Sequence, residues 1–264
     1  MQQASDFLEE NRVLQALLEQ IPVDQLETVT QFKDWTIEDV LGHLHFWNRA
    51  ALLSLTDPDA FQAMFEPLAE HLMAGGALKP YEREVLSDCR GDDLVHAWRE
   101  GFERTASAFS SADPAQRVAW AGPSMSARSS ISARQMETWA HGQEVFDILG
   151  VEREETDRIR NIVVLGVNTF KWTFAVRGET PPEPQPEVRL ISPAGHAWQF
   201  GEPQVHNYVA GSAVEFAQVA TQTRNIADTS LEVVGAPATA WMANAQCFAG
   251  AANPPPAPGS RHRV

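Results

Sequence analysis

Apolar positions recur at helical spacing over residues 4–20, through Phe7, Leu8, Val13, Leu14, Leu17 and Leu18, which predicts an amphipathic helix. Ile21-Pro22 ends it, because proline disfavours helical backbone in the residue before it. Thr36-Ile37-Glu38-Asp39 has the pattern of a capping box and opens a second helix. Its apolar face runs through Val40, Leu44, Trp47 and Ala51 and stops before Thr56-Asp57-Pro58. Residues 59–73 predict a third helix, broken by Gly75-Gly76. Asp92-Asp93 opens a helix carrying Leu94, Val95, Trp98, Phe102 and Phe109, which stops at Ser110-Ser111-Ala112-Asp113-Pro114. After a loop over 115–125, residues 128–149 read as a long helix with Ile131, Met136, Trp139, Ala140, Val145, Phe146 and Leu149 as core positions and Gly150 as its C′ residue. A further helix is predicted over 155–176, ending near Gly178.

The pattern then changes. Residues 179–186 (ETPPEPQP) are proline-rich and read as a stiff linker. Val188-Arg189-Leu190-Ile191 and Ala197-Trp198-Gln199-Phe200 predict two strands joined by the turn Ser192-Pro193-Ala194-Gly195. A third strand is expected over 205–209, a helix over 211–222, a strand over 231–234 and a helix over 238–248. The fold class is therefore α+β: an antiparallel helical bundle over 1–178, a small C-terminal α/β domain over 187–250, and a flexible Pro/Ala/Gly-rich tail over 251–264.

Composition narrows the function classes. The 264 residues include 20 Lys+Arg and 35 Asp+Glu, a formal net charge of −15. That excludes a basic nucleic-acid footprint and disfavours anionic membranes. No apolar run is long enough for a transmembrane helix, and residues 1–20 lack the basic and apolar regions of a signal peptide. A cytoplasmic protein acting on a small molecule, as monomer or homodimer, is the expectation. The only cysteines are Cys89 and Cys247, too few for a disulfide scaffold or a four-cysteine zinc module. Neither has a sequence neighbour that would activate it as a nucleophile. A metal site in this chain must use His and carboxylate.

Glu137 and His141 supply such a pair, four apart on one predicted helix and so on one face. Two imidazole nitrogens and one carboxylate oxygen form a zinc set that leaves a position open. A third ligand would come from another helix. His43 and His45 point in different directions on theirs, so only one can join a given site.

The segment Trp35-Thr36-Ile37-Glu38-Asp39-Val40-Leu41-Gly42-His43-Leu44 resembles the W-T-x-x-D-x-x-x-H-L motif of the DinB-like superfamily, nearest the N-terminal domain of mycothiol-dependent maleylpyruvate isomerases. Glu137-Thr138-Trp139-Ala140-His141-Gly142-Gln143-Glu144 is similar to the second family motif, E-x-x-x-H with an acid three residues on. Arg224 followed by Asp228-Thr229-Ser230-Leu231-Glu232-Val233 resembles the family's C-terminal segment. The resemblance implies a four-helix bundle holding one divalent metal, most simply zinc with nickel or iron as alternatives, on His43, Glu137 and His141. It leaves His45 outside the site. Glu144, one turn beyond His141, is a candidate to orient a ligand imidazole.

The resemblance also implies use of a low-molecular-weight thiol such as mycothiol. A metal lowers the pKa of a coordinated thiol, and the thiolate can add to an unsaturated acid to permit isomerisation, or be transferred to an electrophile. Arg224 is then the candidate grip on a carboxylate. Two other readings remain: a hydrolase using a metal-activated water, and a metal- or small-molecule-binding protein without turnover. Trp47 and Trp139 flank the proposed ligands and are the tryptophans expected nearest the cavity, with core packing as the simpler role for each.

Overall fold

In the computed structural model, which describes residues 1–264, the chain divides into two compact units, Met1–Ile148 and Leu149–Val264. The first is helical. It comprises α1 (Gln2–Leu18), a 3-10 turn (Val23–Glu27), α2 (Ile37–Thr56), α3 (Pro58–Met73), α4 (Leu78–Val85), α5 (Gly91–Ser111), a two-stranded ribbon of β1 (Arg117–Val118) and β2 (Met125–Ser126), and α6 (Ala127–Ile148). Helices α1 and α2 each pack on both α5 and α6. Phe7, Leu14, Ile37, Leu41, Trp98, Phe102, Phe109, Ile131 and Trp139 fill the space between them. No helix is long and apolar enough to cross a membrane.

The capping box expected at residue 36 forms. The Thr36 hydroxyl accepts from Asp39 N–H at 3.1 Å, and the Asp39 carboxylate accepts from Thr36 N–H at 2.9 Å. This fixes the first turn of α2, one turn before His43. Thr36→Ala is expected to lower stability by about 1 kcal/mol, read as a reduced urea midpoint. Helix α6 carries no one-sided apolar stripe. It buries Ser130, Arg134, Gln135, Thr138, Gln143, Glu144 and Asp147 along with its apolar residues, as a helix surrounded by others must.

The second unit holds a 3-10 turn (Asp157–Ile159), α7 (Arg160–Asn168), α8 (Phe170–Ala175), β3 (Glu187–Ile191), β4 (Ala197–Phe200), β5 (Tyr208–Ser212), α9 (Ala213–Ala220), a 3-10 turn (Ile226–Asp228), β6 (Glu232–Val234) and α10 (Ala236–Met242). The sheet order is β4-β3-β5-β6, with β3 and β5 parallel and the outer pairs antiparallel. The predicted hairpin appears in register, Ile191 opposite Ala197, around a turn with Gly195 at φ 83°. Val188, Leu190 and Val209 are buried, as are Phe216 and Ala217 of α9.

Three expectations are corrected. The boundary near 178 falls instead at Ile148/Leu149, because α7 packs on α9 and α8 on α10. Gly166 permits that approach: a Cβ there would meet Ala220 and Phe216 at 3.0 Å. The single helix over 155–176 is two, α7 and α8, meeting at Thr169, whose hydroxyl donates to the carbonyls of Leu165 and Gly166 at 2.8 and 3.0 Å. The tail expected to be flexible is tied down. Asn225 donates to Pro256 O at 2.8 Å, Gly259 N–H to Asp228 at 2.9 Å, and Arg261 to Gln222 O at 2.7 Å.

Candidate metal centre

Helices α2 and α6 bring His43, Glu137 and His141 together. His141 Nε2 lies 3.3 Å from Glu137 Oε2, and His43 Nε2 lies 3.7 Å from the same oxygen. All three donor atoms fall within 4.8 Å of one another. A tetrahedron of ~2.0–2.1 Å bonds has an edge of about 3.3 Å, so the two separations to Glu137 suit ligands of one zinc-sized ion. The residues present therefore fit a divalent metal.

His43 is the most enclosed of the three, its side chain 9% exposed against 22% for Glu137 and 12% for His141. Burial alone would lower its pKa. The carboxylates of Glu82 and Glu137 outweigh burial and raise it to about 9 in the metal-free protein. Burial likewise pushes Glu137 up, but hydrogen bonds from His141 and His43 and the charge of Arg134 hold it well below the usual carboxylate range. His141 goes the other way, lowered by burial against the opposing bond to Glu137. The pocket thus holds an ionised carboxylate and one imidazole that stays neutral, two of the protonation states a metal needs.

Aromatic rings enclose the donors. Trp35 stacks on His141 at 5.6 Å with planes 5° apart, and meets His43 edge-on at 5.3 Å. Phe32 packs edge-on against His141 at 5.0 Å. Trp47 is 6.2 Å from His43, as its position one helical turn on requires. Trp139 is not part of this wall. It sits two residues from Glu137 and two from His141, hence on another face, and is fully buried. His45 also faces away, against Gly101 of α5.

Glu82, Arg134 and Phe32, all close to the donors, had no clear signal in the chain. Glu82, on α4, accepts from Trp47 Nε1 at 2.9 Å and lies 3.0 Å from His43 Nδ1. A carboxylate on the His43 imidazole is therefore supplied by Glu82, from outside both motifs; Glu144 is buried on α6. Arg134, 3% exposed and one turn before Glu137, donates to Asn48 at 3.3 Å. Trp35 and Phe32 come from the turn before α2, where Lys33 and Asp34 both adopt positive φ. Only Trp35 stood in a recognisable motif. Arg224 lies in the second unit, just after α9, half-buried and donating to Thr223 O at 2.8 Å.

Burial and the charges of Asp93 and Glu38 raise the Cys89 thiol, and Cys247 is buried in the second unit.

A helical unit with this pair of motifs, followed by a small mixed sheet, defines a DinB-like protein of the α+β class. Residues 7–146 match the model of the mycothiol maleylpyruvate isomerase N-terminal domain, and the chain belongs to that family. The matched span contains His43, Glu137 and His141. Two uncharacterised proteins of Mycobacterium tuberculosis, Rv0036c of strain H37Rv and MT0041 of strain CDC 1551, are each 35% identical over 246 residues, which is 93% of this chain and 95% of each relative. Among solved structures, a mycothiol-dependent maleylpyruvate isomerase is similar with a TM-score of 0.54 at 15% identity, covering 84% of this chain and 88% of that one. A mutant of the isomerase is similar with the same score and coverage at 14% identity. At that identity the likeness is one of fold.

Proposed function

We propose that this protein is a divalent-metal-dependent enzyme that uses a low-molecular-weight thiol, mycothiol or a close analogue, to isomerise a small unsaturated acid or to transfer the thiol to an electrophile. The observation that carries the reading is the convergence of His43 Nε2, Glu137 Oε2 and His141 Nε2 within a unit of the mycothiol isomerase family. His43, Glu137 and His141 are the proposed ligands, and zinc suits them best, with nickel or iron as substitutes. A divalent metal held there supplies the charge that turns a coordinated thiol into a thiolate at neutral pH.

The chain's own residues do the rest. Glu137 Oε2 and His141 Nε2 lie 3.3 Å apart on one face of α6, and Trp35 and Phe32 pack their rings against His141. No cysteine stands in the converging donor set, and on this reading the reactive sulfur comes from outside. Arg224 is the proposed grip on the acid's carboxylate, the local positive charge that a protein of net charge −15 needs for an anionic substrate. The reading makes this a cytoplasmic enzyme, monomeric or homodimeric, with a small-molecule substrate and neither nucleic acid nor membrane as partner.

The test is turnover of maleylpyruvate and related unsaturated acids by zinc-loaded protein, with and without mycothiol. Product formed only with the thiol is expected. Thiol-independent hydrolysis of an ester or amide panel would replace this reading with the hydrolase. Binding of the acid or thiol without product would replace it with a binding protein.

A further inference from the structure

The proposed ligands say nothing of why His43 presents Nε2, and not Nδ1, to Glu137 and His141. A neutral imidazole has one donor and one acceptor nitrogen, and the partner of one decides the role of the other. We propose that Glu82 is a positioning residue that fixes His43 as the Nδ1–H tautomer and aims its Nε2 at the metal position, and that α4 is the strap that holds Glu82 there. The proposal rests on the metal reading of the site and adds a residue to it from outside the two family motifs.

Three observations support it. Glu82 is 4% exposed, and a carboxylate so enclosed is retained only where it is hydrogen-bonded. Its Oε1 is shared by Trp47 Nε1, at 2.9 Å, and His43 Nδ1, at 3.0 Å. Indole N–H can only donate, so Trp47 anchors the carboxylate as an acceptor. With the same oxygen accepting from both side chains, the His43 proton sits on Nδ1, which leaves Nε2 as the free lone pair when the ring is neutral. His43 and Trp47 are four apart on α2, so one oxygen meets both on one helix face.

The strap is latched beside this contact. Arg83, the next residue along α4, forms two hydrogen bonds to Asp39, one of them Nη2 to Oδ2 at 2.7 Å. Asp39 is also the carboxylate of the capping box that starts α2. Lys79 donates to Asp34 O at 3.1 Å, in the turn that carries Trp35. Helix α4 is thus tied through Arg83 to the first turn of the helix that bears His43, and through Lys79 to the turn that precedes it. A carboxylate bonded to the far nitrogen of a ligand imidazole also raises the ring's basicity as a donor.

The experiment compares wild type, Glu82→Gln and Glu82→Ala as full-length chains. Zinc affinity is measured by competition with a chromophoric chelator, and the Nδ1–H resonance of His43 is followed by 15N-edited NMR of the zinc-loaded proteins. Glu82→Gln keeps the side-chain shape and serves if the alanine variant fails to fold. Affinity weaker by about 10–100-fold is expected, with the hydrogen-bonded Nδ1–H signal shifted upfield or lost to exchange. A destabilised strap alone would leave that resonance in place. Tight zinc binding by wild type and equally tight binding by Glu82→Gln, with the Nδ1–H signal unchanged, overturns the role of Glu82 alone. Absence of zinc binding in wild type overturns the metal reading and this inference with it.

Discussion

Replacing His141 by alanine is expected to reduce bound divalent metal from one per chain to none after dialysis, with the helical unit still folded. His141 supplies one of three donors that lie within 4.8 Å of one another, and the two that remain would be left with a largely hydrated ion. Its ring is partly exposed, so the vacated space can fill with water. His43→Ala is expected to lose the metal as well, but at a greater cost to folding. It takes the imidazole away from the buried Glu82 carboxylate and leaves it the Trp47 indole N–H, and stranding a buried charge in this way typically costs about 3–5 kcal/mol. Elemental analysis of the dialysed variants and their urea midpoints check both parts. Unchanged metal content in both variants would rule out the proposed ligand set.

The second large effect is a reversal of pH dependence by the metal. In metal-free protein the His43 pKa is raised from 6.5 to about 9 by the two carboxylates that flank it. A group with a raised folded pKa contributes stability that is full below its unfolded value and is lost as pH climbs through the folded one. Metal-free protein should therefore lose stability between pH 6.5 and 9, by roughly 2–3 kcal/mol for the shift of His43. His141 has the opposite sign. Its lowered pKa means that below pH 6.5 the unfolded chain binds a proton the folded site refuses, so stability also falls toward acid. Zinc-loaded protein should instead gain stability from pH 6.5 to 9, because protons compete with the metal for the imidazoles. Urea midpoints of chelated and zinc-loaded protein at pH 6.5 and 9 measure this. Curves that run parallel would contradict the assignment of His43 as both ligand and buried cation.

The parts of this fold that could be read from the chain are those decided locally. The capping box at Thr36 and Asp39 depends on four consecutive residues, and the hairpin around Gly195 on the thirteen from Val188 to Phe200; both form where expected. The spacing of Glu137 and His141 places them on one face whatever surrounds α6. What could not be read is set by packing between distant segments. The domain boundary depended on α7 meeting α9 across some fifty residues, a pairing that periodicity does not reveal. The tail looked frayed by composition, yet Asn253, Gly259 and Arg261 are held by Gln222, Asp228 and the backbone nearby.

The same division holds at the site. His43 came from a motif, but its partner Glu82 lies 39 positions later on an eight-residue helix with no cap bond and a proline in its first turn. A lone glutamate on a charged segment gives no sign of burial. Trp139 is the nearer tryptophan in sequence to Glu137 and His141, yet it is Trp35 that stacks on His141, because helix geometry turns residues two apart to different faces. Arg134 illustrates the converse: a guanidinium in the middle of a polar-looking helix is among the most enclosed residues of the first unit. Its charge acts on Glu137 and Glu82 together, offsetting two buried carboxylates.

The central claim is that His43, Glu137 and His141 hold one metal with a position open to an external thiol. Zinc K-edge X-ray absorption of the zinc-loaded protein, recorded before and after addition of mycothiol, tests it most directly. The converging donors are two imidazoles and a carboxylate, with no cysteine among them, so the starting spectrum should contain nitrogen and oxygen neighbours alone. Addition of the thiol should bring in one sulfur at about 2.3 Å. A sulfur shell already present without thiol, or none at saturating thiol, would contradict the account.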